Sequence, residues 1–385
     1  MSSVRVGIIG FGGMGSLHGR YLSAGDVPEA KLVAVCDINP ARLEVAKQIC
    51  GDGILTFDNA DALFASKSVD AVIIATPHYF HPPLAIQAFQ NGYHVLSEKP
   101  AGVYTKQVHE MIDAAKASGK IFGVMFNQRT LAYHQKMKEL VESGELGEIR
   151  RTLYVITDWF RSQSYYNSGG WRATWGGEGG GVLVNQCPHN LDLWQWICGM
   201  PKRVYSRCSF GKYHDIEVED DVTTFVEYEN GATGVFITTT GEAPGCNRLE
   251  VVGDRGRLVL ESGKITFWRT RVSVSEFLKT SPTGFDKPEC WEFQVPAGGG
   301  EEHRGITKNW ASAILHGTPL LARGEEGING VQLANAMHLS AWTNEWVEVP
   351  VDEDRFYALL QEKIKTSTYK KPEVAGKAMN FAGTF

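Results

Sequence analysis

The sequence predicts an α/β fold in its first third, a doubly wound parallel sheet, and a second, strand-rich domain after it. Three observations carry this. A short apolar run, Val4-Arg5-Val6-Gly7-Ile8-Ile9-Gly10, leads into a glycine-rich turn and then a helical pattern. Apolar runs and helical patterns alternate from there to about residue 126. Beyond that point strand-like runs follow one another, several divided by turn sequences. Alternation of the first kind builds a parallel sheet with helices on both faces, and ligands bind where its strands end.

The first run reads as a strand buried on both faces. It enters Gly10-Phe11-Gly12-Gly13-Met14-Gly15, a helix follows through Leu22, and Lys31–Asp37 is a second strand ending in an acid. This is G-x-G-x-x-G with a strand before it, a helix after it and a carboxylate about 20 residues on. Gly10 permits the tight turn, Gly12 lets the backbone approach a pyrophosphate, and Gly15 lets the helix pack close to the strand. The helix N-terminus then faces the phosphates. A dinucleotide site is the expectation. Asp37 would accept from both adenosine ribose hydroxyls and repel a 2′-phosphate, which favours NAD over NADP. Arg42, five residues later, would soften that repulsion and leaves NADP open.

Glu44–Cys50 reads as helix, Ile54–Phe57 as strand and Ala60–Ala65 as helix. Asp70–Pro77 is a buried strand stopped by proline, Pro83–Gln90 a helix, and His94–Lys99 a strand ended by Pro100. Helix Thr105–Ser118 and strand Ile121–Phe126 close the unit. Two strand ends carry polar groups: Thr76, Pro77, Tyr79 and His81 at one, Glu98 and Lys99 at the other. A lysine facing a cofactor crevice is poorly placed to serve as a solvated charge. Burial and the cofactor's positive ring would lower its pKa, so that it helps deprotonate an alcohol.

A second proton-handling candidate lies in Val182–Trp194, VLVNQCPHNLDLW, after the triple glycine Gly179–Gly181. Helical spacing puts Asn185, His189, Asp192 and Trp196 on one face. His189 and Asp192 supply at most two metal ligands, and hydride transfer requires none, so no metal is expected. Between Trp159 and Trp175 lie Phe160, Tyr165, Tyr166 and Trp171, with Arg161 and Arg172 among them. The surrounding Gly, Ser, Asn and Gln read as loop, and loop aromatics beside a cleft stack on sugar faces. Asn185, Tyr79, Trp159, Arg161, Trp171 and Arg172 are therefore the candidate substrate contacts.

Taken together, Gly10–Gly15, Ala75-Thr76-Pro77 with His81, Glu98-Lys99-Pro100, and Gly179–Gly181 followed by His189 and Asp192 resemble the Gfo/Idh/MocA oxidoreductases over nearly the whole chain. The resemblance implies a Rossmann domain, residues 1–127, and an α+β domain, residues 128–385, with a large open, mostly antiparallel sheet. The strand-like runs Arg150–Trp159, Arg203–Phe210, Val222–Tyr228, Thr233–Thr239, Arg248–Val252, Gly256–Leu260 and Lys264–Trp268 suit that sheet. Late helices are expected near Glu325–Thr343 and Glu353–Lys365. The resemblance also implies hydride transfer between a sugar or polyol carbon and nicotinamide, with Lys99 and His189 as the proton-handling pair. The family most often has aspartate four residues before that histidine, where this chain has Asn185. A ring secondary alcohol of a sugar, glycoside or cyclic polyol is the implied substrate, with the third ring carbon as one candidate position. An NAD-dependent glycosidase with transient oxidation and a non-catalytic dinucleotide-binding regulator are the alternatives.

The bulk properties limit the partners. A net charge of −6 without a dense Lys/Arg block argues against nucleic acid or an anionic membrane. Seven scattered cysteines without a C-x-x-C pair suit free thiols in a reducing compartment. With a first strand at Val4 and no apolar run of membrane-spanning length, the expectation is a cytoplasmic protein. An open sheet face would invite a homodimer or homotetramer.

Overall fold

The computed structural model describes residues 3–370. The first sheet has six parallel strands: β1 (Val4–Ile9), β2 (Ala30–Cys36), β3 (Leu55–Phe57), β4 (Ala71–Ile74), β5 (His94–Ser97) and β6 (Phe122–Val124). Helices α1 (Gly13–Ser23), α2 (Pro40–Cys50), α3 (Ala60–Ala65), α4 (His81–Gln90) and α5 (Thr105–Ser118) connect them. The order is β3-β2-β1-β4-β5-β6, so the winding reverses between β1 and β4. That reversal opens a crevice at the carboxyl ends of the two strands, where the glycine turn and Thr76 lie. Both β4 and β5 stop earlier than the apolar runs suggest, at Ile74 and Ser97. Thr76, Glu98 and Lys99 thus stand just past the sheet.

The second sheet has nine strands: β7 (Ile149–Ile156), β8 (Arg203–Phe210), β9 (Glu219–Glu227), β10 (Thr233–Thr239), β11 (Asn247–Gly253), β12 (Gly256–Glu261), β13 (Lys264–Thr270), β14 (Cys290–Val295) and β15 (Val347–Glu348). Their order is β14-β13-β12-β11-β7-β10-β9-β8-β15, antiparallel except for the β7–β10 pair. The turn Glu229-Asn230-Gly231 closes the β9–β10 hairpin, as such dipeptides favour. Helices α6 (Ala132–Glu142), α7 (Gln163–Asn167), α8 (Pro188–Cys198), α9 (Val274–Thr280), α10 (Glu302–His316), α11 (Gly327–Thr343) and α12 (Glu353–Thr366) complete the described chain. All seven cysteines are free thiols. No helix among the described residues is long and apolar enough to cross a membrane.

Two apolar cores result. One surrounds Ile8, Val72 and Leu96, and the other surrounds Trp194, Phe236 and Leu249. Late chain returns to the first core through Ile306, Trp310 and Ala311 of α10, while α11 gives Val331 to the first and Leu333 and Met337 to the second. Each large apolar side chain so buried stabilises by about 1.5–3 kcal/mol, and α11 ties the two cores together. Helices α6, α7, α9 and α10 and strands β14 and β15 escaped the sequence reading, and two of them show why. The buried face of α10 mixes His303 and Thr307 with Ile306 and Trp310, which dilutes the apolar pattern. Strand β14 is an edge strand, exposed along nearly all its length, so it carries no buried alternation.

Candidate active site

The glycine turn joins β1 to α1. A Cβ on Gly15 would lie 2.0 Å from the Gly10 carbonyl oxygen, so only glycine lets this helix approach the strand. At Gly12 a Cβ would meet no protein atom within 4 Å, and no side chain caps α1. Gly13 is exposed and Met14 partly buried beside it. The Phe11 ring turns into the core, and its N–H donates to Asp37 Oδ2 at 2.7 Å. Asp37 Oδ1 accepts from the Asn39 N–H at 2.8 Å, while Asn39 itself caps α2. The two remaining lone-pair positions of Asp37 suit a ribose diol. Arg42 sits in the first turn of α2. The Thr76 hydroxyl oxygen is buried without a hydrogen-bond partner. The uncapped helix, the open approach at Gly12 and the orphaned Thr76 hydroxyl fit NAD lying along the strand ends.

Two predicted cofactor contacts are committed inside the protein. Glu98 Oε1 meets the Nε2 of His18, a histidine on α1, at 2.7 Å, and Glu98 Oε2 accepts from the Lys99 N–H at 3.2 Å. Burial pushes the Glu98 carboxyl up, but His18, His303 and Lys99 outweigh it and hold it below the usual range. His81 places its ring nitrogens 2.8 Å from the Pro100 carbonyl and 2.7 Å from the Thr76 carbonyl. Burial keeps this ring from charging readily, and a neutral ring donates to only one of the two. His81 is therefore buried between the carbonyls just past β4 and β5 and donates to one of them. Tyr79 is likewise occupied, since its hydroxyl donates to the Trp175 carbonyl at 2.7 Å and its ring packs on the second core. His78, at the same strand end, was not among the candidate residues, and its Nδ1 lies 3.3 Å from the Glu178 carbonyl. Its ring meets Trp171 edge-on at 5.3 Å, and burial, His81 and Lys99 hold its pKa well below the usual value.

Lys99 Nζ donates to the Asn185 carbonyl at 3.1 Å, which joins the two domains at the strand end. Burial lowers the Lys99 pKa, Glu98 opposes this, and Arg172 and Arg161 add to the lowering. His189, in the first turn of α8, is buried, and neither ring nitrogen has a hydrogen-bond partner. Burial, then the charge of Lys99, hold it well below the usual histidine value, so the resting ring is neutral.

The expected helical face is corrected at two positions. Asn185 precedes α8, in the turns held by Glu219, whose carboxylate accepts from the Gly181 and Leu183 N–H groups. Asp192 is on the helix but points to Arg129, which donates to both its oxygens at 2.8 and 2.7 Å. Arg129 and Asp192 are each 1% exposed, and neither faces His189 with a free charge.

The loop between β7 and α8 forms a wall of aromatic rings and arginines. Trp159 Nε1 donates to Asn190 Oδ1 at 2.9 Å. The Arg161 guanidinium lies over Trp159 at 5.4 Å and Tyr165 at 5.1 Å, and Arg172 over Tyr165 at 4.6 Å and Trp171 at 4.5 Å. Tyr165 donates to Asn185 Oδ1 at 3.3 Å. The structure thus brings Lys99, Asn185, Tyr165, Arg172, Trp171 and His78 into one connected constellation. No group of three or more His, Cys, Asp or Glu that could hold a metal is found among the described residues.

Residues 4–126 match a family model described as an oxidoreductase family with NAD-binding Rossmann fold. Residues 134–259 match the Gfo/Idh/MocA C-terminal domain. A dinucleotide turn in the first region and an open sheet in the second define an NAD-dependent oxidoreductase. The chain belongs to the Gfo/Idh/MocA family. It is 29% identical to the D-glucoside 3-dehydrogenase of Escherichia coli over 60% of this chain and 68% of that one. It is 26% identical to the levoglucosan dehydrogenase of Pseudarthrobacter phenanthrenivorans over 91% of this chain and 99% of that one. Among solved structures, the WlbA dehydrogenase of Bordetella pertussis, crystallised with NADH and UDP-GlcNAcA, superposes with a TM-score of 0.75. That similarity has 26% identity and covers 91% of this chain and all of that one (100%).

Proposed function

We propose that this protein oxidises a ring secondary alcohol of a sugar, glycoside or cyclic polyol, passing the hydride to NAD. The observation that carries this reading is the buried His189 ring, unpaired at both nitrogens, beside the depressed ammonium of Lys99. A pair of that kind has a use where an alcohol proton must leave, and none in a protein that only senses a dinucleotide. Bound NAD+ supplies the hydride acceptor. The remaining work belongs to the chain. Lys99 hydrogen-bonds the reacting hydroxyl and, in its deprotonated form, assists the neutral His189 in taking its proton. Asn185 and the Arg161–Tyr165–Arg172–Trp171 wall hold the ring flat against the crevice and exclude water. Asp37 selects NAD by accepting from the ribose hydroxyls, and Gly10–Gly15 receive the pyrophosphate.

Similarity to the glucoside dehydrogenase supports the third ring carbon as the first position to test. Exposed aromatics such as Phe225, Trp291 and Phe293 suit a sheet covered by a second copy in a homodimer or homotetramer. A screen of glucosides, inositols and free sugars for NADH formation tests the reading. Reduced cofactor with at least one class is expected. Release of aglycone without reduced cofactor would assign a redox-neutral glycosidase instead.

A further inference from the structure

Glu178 is 1% exposed, at a position that no motif or spacing marks. One carboxylate oxygen accepts from the Asn185 side-chain NH2, and the other accepts from the Ala173 N–H at 2.6 Å. Arg172 stands 3.6 Å away. The hydrogen bonds in front of it run in one direction. Arg172 donates to the Tyr165 hydroxyl at 2.7 Å and Gln186 Nε2 donates to it at 3.3 Å. Tyr165 then donates to Asn185 Oδ1, and the Asn185 NH2 donates to Glu178. Every donor in the run points towards one buried carboxylate.

We propose that Glu178 is a positioning residue that fixes the Asn185 amide, oxygen to Tyr165 and NH2 inward, and so sets the polarity of the substrate wall. Asn185 also holds Lys99 through its own carbonyl, so one residue links the wall to the proton-handling lysine. A carboxylate is required because two donors converge on it. A glutamine side chain in its place has one acceptor, which leaves either the Ala173 N–H or the Asn185 NH2 facing another donor. A carboxylate in place of the Asn185 amide would instead set two acids against each other, so that they must share a proton. Changed together, the pair is satisfied again. The amide that replaces Glu178 accepts from the Ala173 N–H and donates to the carboxylate that replaces Asn185. The second oxygen of that carboxylate accepts from Tyr165.

The test is the cycle Glu178→Gln, Asn185→Asp and the double variant, read by thermal melting and by kinetics. Each single variant is expected to melt below the wild type and to lose about tenfold or more in kcat/KM, the scale of one unsatisfied buried group. Asn185→Asp should further lose activity as pH rises, because its shared proton leaves. The double variant should recover the melting midpoint and lose that pH dependence, with kcat/KM above that of either single variant. Additive losses in the melts would overturn the pairing. Coupled melts with unchanged KM and kcat in every variant would overturn the positioning role. The kinetic arm rests on the sugar dehydrogenase reading, whereas the melts need no substrate and separate failure of the pairing from failure of that reading.

Discussion

Lys99→Met keeps the length of the side chain and removes the ammonium. In the structure that ammonium sits just past β5, donates to the Asn185 carbonyl at 3.1 Å, and is held below the ordinary lysine value of 10.5 by burial. A positioned acid–base group contributes about 10²–10⁴-fold to rate. At about 1.36 kcal/mol per factor of ten, the variant should lose roughly 3–5 kcal/mol of transition-state stabilisation. Single-turnover hydride transfer measures the loss, and calorimetric titration with NAD measures binding, which should change by no more than about threefold. The pH profile adds a second readout. Deprotonated Lys99 helps take up the hydroxyl proton, so wild-type kcat/KM should rise through an apparent pKa below 10.5, and Lys99→Met should lack that limb. Linkage gives the same sign for stability. Between the lowered folded value and 10.5 the unfolded chain binds more protons, so stability rises with pH there, and the variant removes this slope. Turnover within tenfold of wild type, or loss of NAD affinity in step with rate, would refute the reasoning.

His189→Ala should lower kcat by about 10²-fold or more with little change in NAD affinity, and partial rescue by added imidazole would mark the lost base. Asp37→Ser should weaken NAD about tenfold and narrow the gap to NADP, because the ribose acceptor and the charge that repels a 2′-phosphate leave together. Comparison of the two KM values checks it. Asp192→Ala removes one of the two carboxylates paired with the buried Arg129, leaving it Glu326, and should cost about 1–3 kcal/mol in denaturant unfolding.

The first sheet was legible because its signals are local: β1, the glycine turn and Asp37 lie within one strand–helix–strand unit, and the run of β4 is buried along its whole length. The hairpin turns of the second sheet were legible for the same reason. The substrate wall was only partly so. Spacing placed Asn185 on the face of α8, yet the turns tied down by Glu219 carry it ahead of the helix, next to Lys99. Tyr79, His81 and Glu98 were expected at the crevice because strand ends face ligands. Their partners, Trp175, the Pro100 carbonyl and His18, are set by tertiary contacts that one-dimensional spacing does not carry. Arg129 was invisible for the same reason: its partners Asp192 and Glu326 are 63 and 197 residues away. Glu178 left no signal either, since an acid in a glycine-rich loop ordinarily faces water.

The central claim is that a ring C–H hydride leaves the substrate for NAD while Lys99 and His189 manage the proton. Turnover of NAD+ with a glucoside or inositol deuterated at the reacting carbon, followed by mass spectrometry of the recovered cofactor, tests it most directly. Reduced cofactor carrying the deuterium is expected, with its formation slowed by the isotope and nearly abolished in His189→Ala. Deuterium retained in a hydrolysed sugar, with no net reduced cofactor, would contradict it.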